Sequence, residues 1–244
     1  MDLGRGVLGD SWRHRQQANQ EKKDVFHNPA LYRDTMLFAS FGGPVTRVRS
    51  GVMRVTGGIF GGRQLVAPPD MSVRPTSDRT RQAIFNMLRH KDFGIGFTLE
   101  NASVLDLFAG TGALGIEALS HGARWCLFVD DSADSRALQR ENVEGLNLTG
   151  ATRIWRRDAT DLGSIGPSAN GPFNLVFLDP PYRKEMIPKA LASLKDGGWL
   201  LPNALLVAET DAKEPVDAPG YELLDERDYG ETRVRFLTVS SQRA

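Results

Sequence analysis

Two stretches of this chain combine residue types and spacing that permit chemistry. Val104-Leu-Asp-Leu-Phe-Ala-Gly-Thr-Gly-Ala-Leu-Gly115 is an apolar run that meets a carboxylate, Asp106, and then a glycine-rich turn. Asn174-Leu-Val-Phe-Leu-Asp-Pro-Pro-Tyr182 is a second apolar run, closed by a carboxylate, two prolines and an aromatic ring. Glycines let the first stretch turn tightly from strand to helix and let a ligand approach the backbone closely. Phe108, Ala109, Gly110, Thr111 and Gly112 therefore read as a cofactor loop, with Asp106 beneath or beside it. Asp130 closes the next apolar run, twenty residues after Gly110, where a carboxylate can accept both hydroxyls of a ribose. Asp158, with Ala159 beside it, follows the third run and is placed to receive an adenine amino group.

The second stretch suits a planar amine. The lone pair of an exocyclic base nitrogen is delocalised into the ring, so the nitrogen is a poor nucleophile. If the Asp179 carboxylate and the Pro180 carbonyl each accept one N–H, the nitrogen can pyramidalise toward an incoming methyl group. Pro180 and Pro181 donate no hydrogen bond, and their fixed φ holds those acceptors in place. Tyr182 offers a flat face on which an extruded base can stack. Together the two stretches predict methyl transfer from a sulfonium nucleoside to a base nitrogen, carried mainly by proximity and needing no metal.

Glycine spacing followed by an acid is also the dinucleotide fingerprint, so an NAD-dependent oxidoreductase is the first rival. Asp106 counts against it, because a carboxylate there repels a pyrophosphate and attracts a sulfonium. Other rivals are a DNA adenine-N6 methyltransferase, which shares the Asp-Pro-Pro-Tyr chemistry, and an RNA-binding assembly factor without turnover.

The supporting elements follow a regular order. Short β-rich runs at Ser103 to Leu107, Trp125 to Asp130, Thr152 to Trp155, Phe173 to Asp179 and Ala204 to Thr210 alternate with helical stretches at Gly112 to Ser120, Ala133 to Leu146 and Ile187 to Lys195. Such alternation implies parallel strands joined by right-handed crossovers. Tyr221 to Glu226 and Thr232 to Val239, about Tyr229-Gly230, predict an antiparallel hairpin at the sheet edge. Upstream, Met53-Arg-Val-Thr and Gln64-Leu-Val-Ala flank a glycine-rich turn and predict a β-hairpin. Thr76 or Ser77 then caps a helix in which Ile84, Phe85 and Leu88 share one face. Residues 1 to 52 show no sustained period and are expected to be a flexible extension, with Met53 an alternative start.

At 244 residues, 41% hydrophobic and 25% charged, the chain fits an α/β domain with additions. Its longest apolar runs fall far short of the ~20 residues that span a bilayer, and no secretory leader is seen, so cytoplasmic residence is expected. The single cysteine, Cys126, lies in a strand-like run and reads as a core residue. His14, His27, His90 and His121 lack ligand spacing and read as surface or capping residues, and Glu117 reads as a solvated or helix-face carboxylate rather than a general base. Net charge is zero but unevenly spread: nine basic residues face two acidic ones from Arg47 to Lys91, and nine acidic face two basic from Glu209 to Glu231. The basic stretch is a candidate phosphate-binding face.

With these residues in hand, the chain resembles the bacterial small-subunit rRNA methyltransferase D family, guanine-N2 methyltransferases of 16S rRNA, from Met53 almost to its end. The specific pieces are Arg54-Val-Thr-Gly-Gly58 with Gly62-Arg63, Arg74-Pro-Thr-Ser-Asp78 with Arg81 and Phe85-Asn86, Phe108 to Gly115, and Asp179-Pro-Pro-Tyr182. The resemblance implies a class I methyltransferase fold: a doubly wound, Rossmann-like α/β sheet of seven mostly parallel strands with an antiparallel C-terminal strand, plus the N-terminal β-hairpin. It implies S-adenosylmethionine as donor and a guanine of 16S rRNA, guanine 966 of the standard count, as acceptor. The partner would be an assembling small ribosomal particle and the enzyme a monomer. It divides the chain into the extension at 1–52, an RNA-binding hairpin and helix at 53–98, and the methyltransferase domain at 99–244. Arg63, Arg74 and Arg81 become candidate RNA contacts. Gly61 stands where the family often has a basic residue, which removes one phosphate contact, and Tyr182 replaces the commoner phenylalanine while keeping a stacking face.

Overall fold

The structure, a computed structural model, describes residues 53–68, 77–181 and 186–240. The expected extension at 1–52, Arg74 and Tyr182 lie outside the described residues. Seven strands, β1 (Ser103–Leu107), β2 (Trp125–Val129), β3 (Thr152–Trp155), β4 (Phe173–Leu178), β5 (Leu200–Asp211), β6 (Tyr221–Tyr229) and β7 (Thr232–Val239), form one sheet in the order β3-β2-β1-β4-β5-β7-β6. The first five are parallel, and β7 runs antiparallel between β5 and β6. The helices are α1 (Asp78–His90), α2 (Ala113–Ser120), α3 (Ala133–Gly145) and α4 (Met186–Asp196). The mixed seven-stranded sheet is the one expected from the sequence. Every residue of β1 is buried, as a strand covered on both faces requires. Strand order reverses between β1 and β4, which opens a crevice at their carboxyl ends.

Alternation along the strands sorts side chains into two layers. Val104, Cys126, Phe128, Leu175 and Phe177 face one core with Met53, Val55, Leu65, Ile84 and Phe85. Leu105, Leu107, Leu127, Val129, Val176 and Leu178 face the other, against Ile187, Ala190, Leu191 and Leu194 of α4. The hairpin segment and α1 thus share a core with the sheet. Ser77 caps α1, its hydroxyl accepting from Thr80 N–H at 3.1 Å.

Two strand features depart from expectation. The N-terminal hairpin narrows to a single bridge, Arg54 to Gln64, closed by a 3-10 turn at Gly58–Phe60. Its period of two survives, since Met53, Val55 and Leu65 are buried while Arg54 and Gln64 are exposed. Strand β5 begins earlier than expected, at Leu200, with a register shift against β4 between Phe173 and Leu175. Pro202 has no N–H for the ladder, and Asn203 takes φ 60°, so the strand bulges there.

A buried carboxylate fastens the hairpin to α2. Glu117, read from sequence as a solvated or helix-face carboxylate, is fully buried. It accepts Thr56 N–H at 2.8 Å, Gly57 N–H at 2.7 Å and the Thr56 hydroxyl at 2.8 Å. Arg81 Nε approaches it at 3.3 Å. Arg81, expected to touch RNA, is only 1% exposed; its guanidinium also donates to the Arg54 carbonyl at 2.6 Å and to Asp78 at 2.7 Å. It is an interior cation, and no surface contact is open to it. His121 ends α2 and stacks on Phe85 at 5.3 Å between ring centroids. Burial pushes the Glu117 carboxyl up, but the bonds from His121 and Thr56 and the Arg81 charge outweigh it, and the net shift is downward. The clamp therefore holds above the usual carboxylate range and is lost as pH falls through the depressed Glu117 value.

Removing one partner strands the other's charge in the core. Glu117→Ala is expected to cost about 3–5 kcal/mol in chemical unfolding, and Glu117→Gln, which keeps an acceptor oxygen for the Thr56 and Gly57 amides, to cost less. Equal stability of Glu117→Ala and the unaltered protein contradicts the clamp.

Candidate active site

Parallel pairing aligns the strand ends. Leu107 lies in register with Val129 on one side and with Leu178 on the other, and Val129 with Trp155. The loops that follow β1, β2 and β4 consequently emerge side by side. Asp130 and Asp179 are the first residues beyond β2 and β4, and Phe108 the first beyond β1.

The loop after β1 needs an unusual backbone. Phe108, Gly110 and Gly112 take φ of 57°, 53° and 80°, and Gly112 caps α2 in the left-handed region. A side-chain-bearing residue in that region costs energy and persists where the surroundings over-determine it; Phe108 is held by packing on the α4-side core. Gly115 lets the first turn of α2 sit on the sheet: a Cβ there would lie 2.4 Å from Phe128, 2.5 Å from Cys126 Sγ and 3.0 Å from Asp106 Oδ2. Cys126 is a buried core residue, as its sequence context predicts.

Three carboxylates converge on this edge. Asp106, on the α2 side of β1 and 1% exposed, accepts Gly115 N–H at 2.9 Å. Burial raises its pKa well above the ordinary value against the opposing Gly115 bond, and the charges of Asp179 and Asp130 push it further up. Asp130 is 8% exposed and accepts Gly110 N–H at 2.8 Å and Ser132 N–H at 2.9 Å. Burial raises its pKa too, against those bonds.

Three of the loop amides are already committed. Ala109 N–H donates to the Val129 carbonyl, Gly110 N–H to Asp130 and Gly112 N–H to the Ala109 carbonyl. A pyrophosphate needs amides aimed at it and no acids nearby. This loop offers the reverse, an acid-lined cradle suited to a cation, which disfavours the dinucleotide reading.

Asp179 is half-buried, Pro180 buried and Pro181 exposed. Asp158 is exposed, and its Oδ1 accepts both the amide and the hydroxyl of Thr160 at 2.7 Å, bonds that lower its pKa. Ala159 beside it is buried. Thr111 donates its hydroxyl to Met53 sulfur at 3.3 Å. Arg63 is exposed at the end of the hairpin turn. Among the described residues no cluster of three potential metal ligands occurs, and no helix is long and apolar enough to cross a membrane.

Residues 53–238 match the family described as conserved hypothetical protein 95. The chain is 33% identical over 197 residues to the ribosomal RNA small subunit methyltransferase D of Escherichia coli strain K12, covering 79% of this chain and 93% of that one. It is 31% identical to the protein of the same description from Haemophilus influenzae, covering 74% and 90%. The solved structure of Escherichia coli yhhF superposes with a TM-score of 0.65 at 29% identity, covering 79% of this chain and all of that one. The chain belongs to the ribosomal RNA methyltransferase D family.

Within this methyltransferase, the sequence reading missed the residues that back the loop. Gln139 and Asn142, on the inward face of α3, are 0% and 3% exposed. The Gln139 amide donates to the Gly110 carbonyl at 3.0 Å. Asn142 donates to the carbonyls of Val66 and Thr111, both at 3.0 Å, and accepts Val66 N–H at 2.6 Å, so one side chain joins hairpin and loop. The available signal was an α3 with Val143 as its one buried aliphatic residue, its inward stripe being amides.

Gly115→Ala tests the close approach of α2. It is expected to cost about 1–3 kcal/mol in thermal unfolding, because backbone and aromatic ring must move apart. Unchanged stability contradicts the packing described.

Proposed function

We propose that the protein transfers a methyl group from S-adenosylmethionine to the exocyclic N2 of a guanine in 16S rRNA, guanine 966 by family resemblance, acting in the cytoplasm as a monomer on an assembling small ribosomal particle. The observation that carries this reading is the meeting of Asp106, Asp130 and Asp179 at one sheet edge beside a loop in which the Ala109, Gly110 and Gly112 amides are internally bonded. The Escherichia coli and Haemophilus influenzae relatives, both ribosomal RNA small subunit methyltransferases, support the choice of ribosomal RNA.

The donor supplies an activated methyl on a sulfonium whose leaving group is a neutral thioether. Asp106 stiffens the loop from below and sets a negative potential under it. Asp130 keeps spare lone pairs on both carboxylate oxygens for ribose hydroxyls, and Asp158 has a free oxygen for the adenine amino group. Asp179 and the Pro180 carbonyl accept the two N–H groups of the guanine amine and turn its lone pair toward the methyl. The Asp179 carboxylate then takes the released proton or passes it to water. Tyr182 stacks the base. A DNA adenine methylase would use the same acceptors, but the relatives described as ribosomal RNA methyltransferases support the RNA reading.

Asp179→Ala separates catalysis from binding. Methylation of 16S rRNA is expected to fall about 10²–10³-fold, as when one oriented hydrogen-bonding group is lost, while donor affinity by calorimetry is kept. Undiminished methylation contradicts the role, and absence of methylation by the unaltered protein favours the factor without turnover.

Raised pKa values at Asp106 and Asp130 give a pH signature. A bound cation favours their ionised forms, so donor affinity is expected to fall from neutral to mildly acidic pH, above the range of an ordinary carboxylate, with protons released on binding there. Calorimetry in buffers of different ionisation enthalpy measures this; a flat affinity contradicts it.

A further inference from the structure

We infer that the outward face of α1, formed by Arg79, Gln82, Asn86 and Arg89, is a docking surface for the RNA backbone of the substrate. This rests on the RNA reading above and names the surface that holds the RNA. The four residues recur at i, i+3, i+7 and i+10, the spacing of one helical face, and all four are exposed. The opposite face, with Thr80, Arg81, Ile84, Phe85 and Leu88, is buried.

Charge pairing distinguishes this face from the charges around it on α1 and on the C-terminal hairpin. The one carboxylate on α1, Asp78, is taken by Arg54 at 3.2 Å and Arg81 at 2.7 Å. Lys91, just beyond the helix, is held by Asp225 at 2.9 Å. On the C-terminal hairpin Arg227 pairs with Asp225 at 2.8 Å, Arg233 with Asp228 at 2.6 Å and Arg235 with Glu226 at 2.7 Å. Arg79 and Arg89 have no such partner among the described residues. An arginine whose fork is unspent can take phosphate oxygens and release counterions.

Helix electrostatics explain one of the two and not the other. Arg89 sits in the last turn, where a cation complements the macrodipole. Arg79 sits in the first turn, where a cation opposes it, and no carboxylate among the described residues repays that cost. An external anion does.

Position links the face to the catalytic edge. Arg81 lies against Glu117, and Phe85 against His121, so α1 runs parallel to α2, which starts at the loop after β1. Arg79 is therefore at the catalytic end, and Arg89 about 15 Å further along the axis at 1.5 Å per residue. Between them Gln82 and Asn86 offer amides to sugar hydroxyls or base edges.

The test compares the double variant Arg79→Gln with Arg89→Gln against Arg227→Gln with Arg233→Gln, which removes equal charge from the C-terminal hairpin. Binding to 16S rRNA and to undermethylated small ribosomal particles is measured across a salt series, with methylation kinetics and donor affinity. The α1 variant is expected to bind RNA at least tenfold more weakly, with the salt slope lowered by about 0.7 per arginine on single-stranded RNA. Its KM for RNA rises, while kcat at saturating RNA, donor affinity and thermal stability stay unchanged. The hairpin variant behaves like the unaltered protein. Wild-type affinity and slope in the α1 variant overturn the proposal. So does a loss confined to whole particles with naked rRNA unaffected, which would mark a protein partner. If the unaltered protein binds no RNA, the substrate reading itself fails and this surface with it.

Discussion

In-register parallel pairing of β1 with β2 and β4 is the constraint on which the site depends. Each of the three strands is apolar on both faces, so none can sit at a solvated position, and burial fixes them in the middle of the sheet. Once Leu107 is level with Val129 and Leu178, the residues that follow have no choice of neighbour. Asp130, the Phe108–Gly112 loop and Asp179 meet because the strands beneath them end together. A one-residue slip would turn Asp106 to the α4 side and separate it from Gly115.

The site then concentrates like charge, at a cost the surrounding packing must offset. Asp106 is buried with one backbone bond and with two other carboxylates in reach, an arrangement that disfavours its ionisation. Elsewhere the protein spends its cations on neutralising acids: Arg81 on Glu117 and Asp78, and Arg233 and Arg235 on the C-terminal hairpin. Negative charge collects where Asp106, Asp130 and Asp179 meet, and Arg79 and Arg89 on the α1 face have no acid partner among the described residues. Glu117, Gln139 and Asn142 convert the hairpin, the loop and α3 into one hydrogen-bonded block, so the glycine-rich loop is shaped before ligand binds.

Much of this was legible in the sequence, for physical reasons. The bounds of β1 and β3 follow from short β-rich runs, the five parallel strands from their alternation with helices, and the last two from the alternating runs about Tyr229-Gly230. The tight strand-to-helix turn was readable because Gly110, Gly112 and Gly115 stand between an apolar run and a helical one. Arg81 and Glu117 were misread because a charge's burial depends on a partner 36 residues away, which local pattern does not carry. Gln139 and Asn142 escaped because an inward amide looks like an outward one until the backbone group it meets is placed. The bulge at Pro202 and Asn203 broke the period that a strand reading uses.

Mass mapping of modified nucleosides in 16S rRNA, from cells with and without this protein, tests the central claim most directly. The account predicts that one N2-methylguanosine disappears with the protein and returns when the purified enzyme and S-adenosylmethionine are added to small ribosomal particles from the deficient cells. An unchanged set of modified guanosines would contradict it.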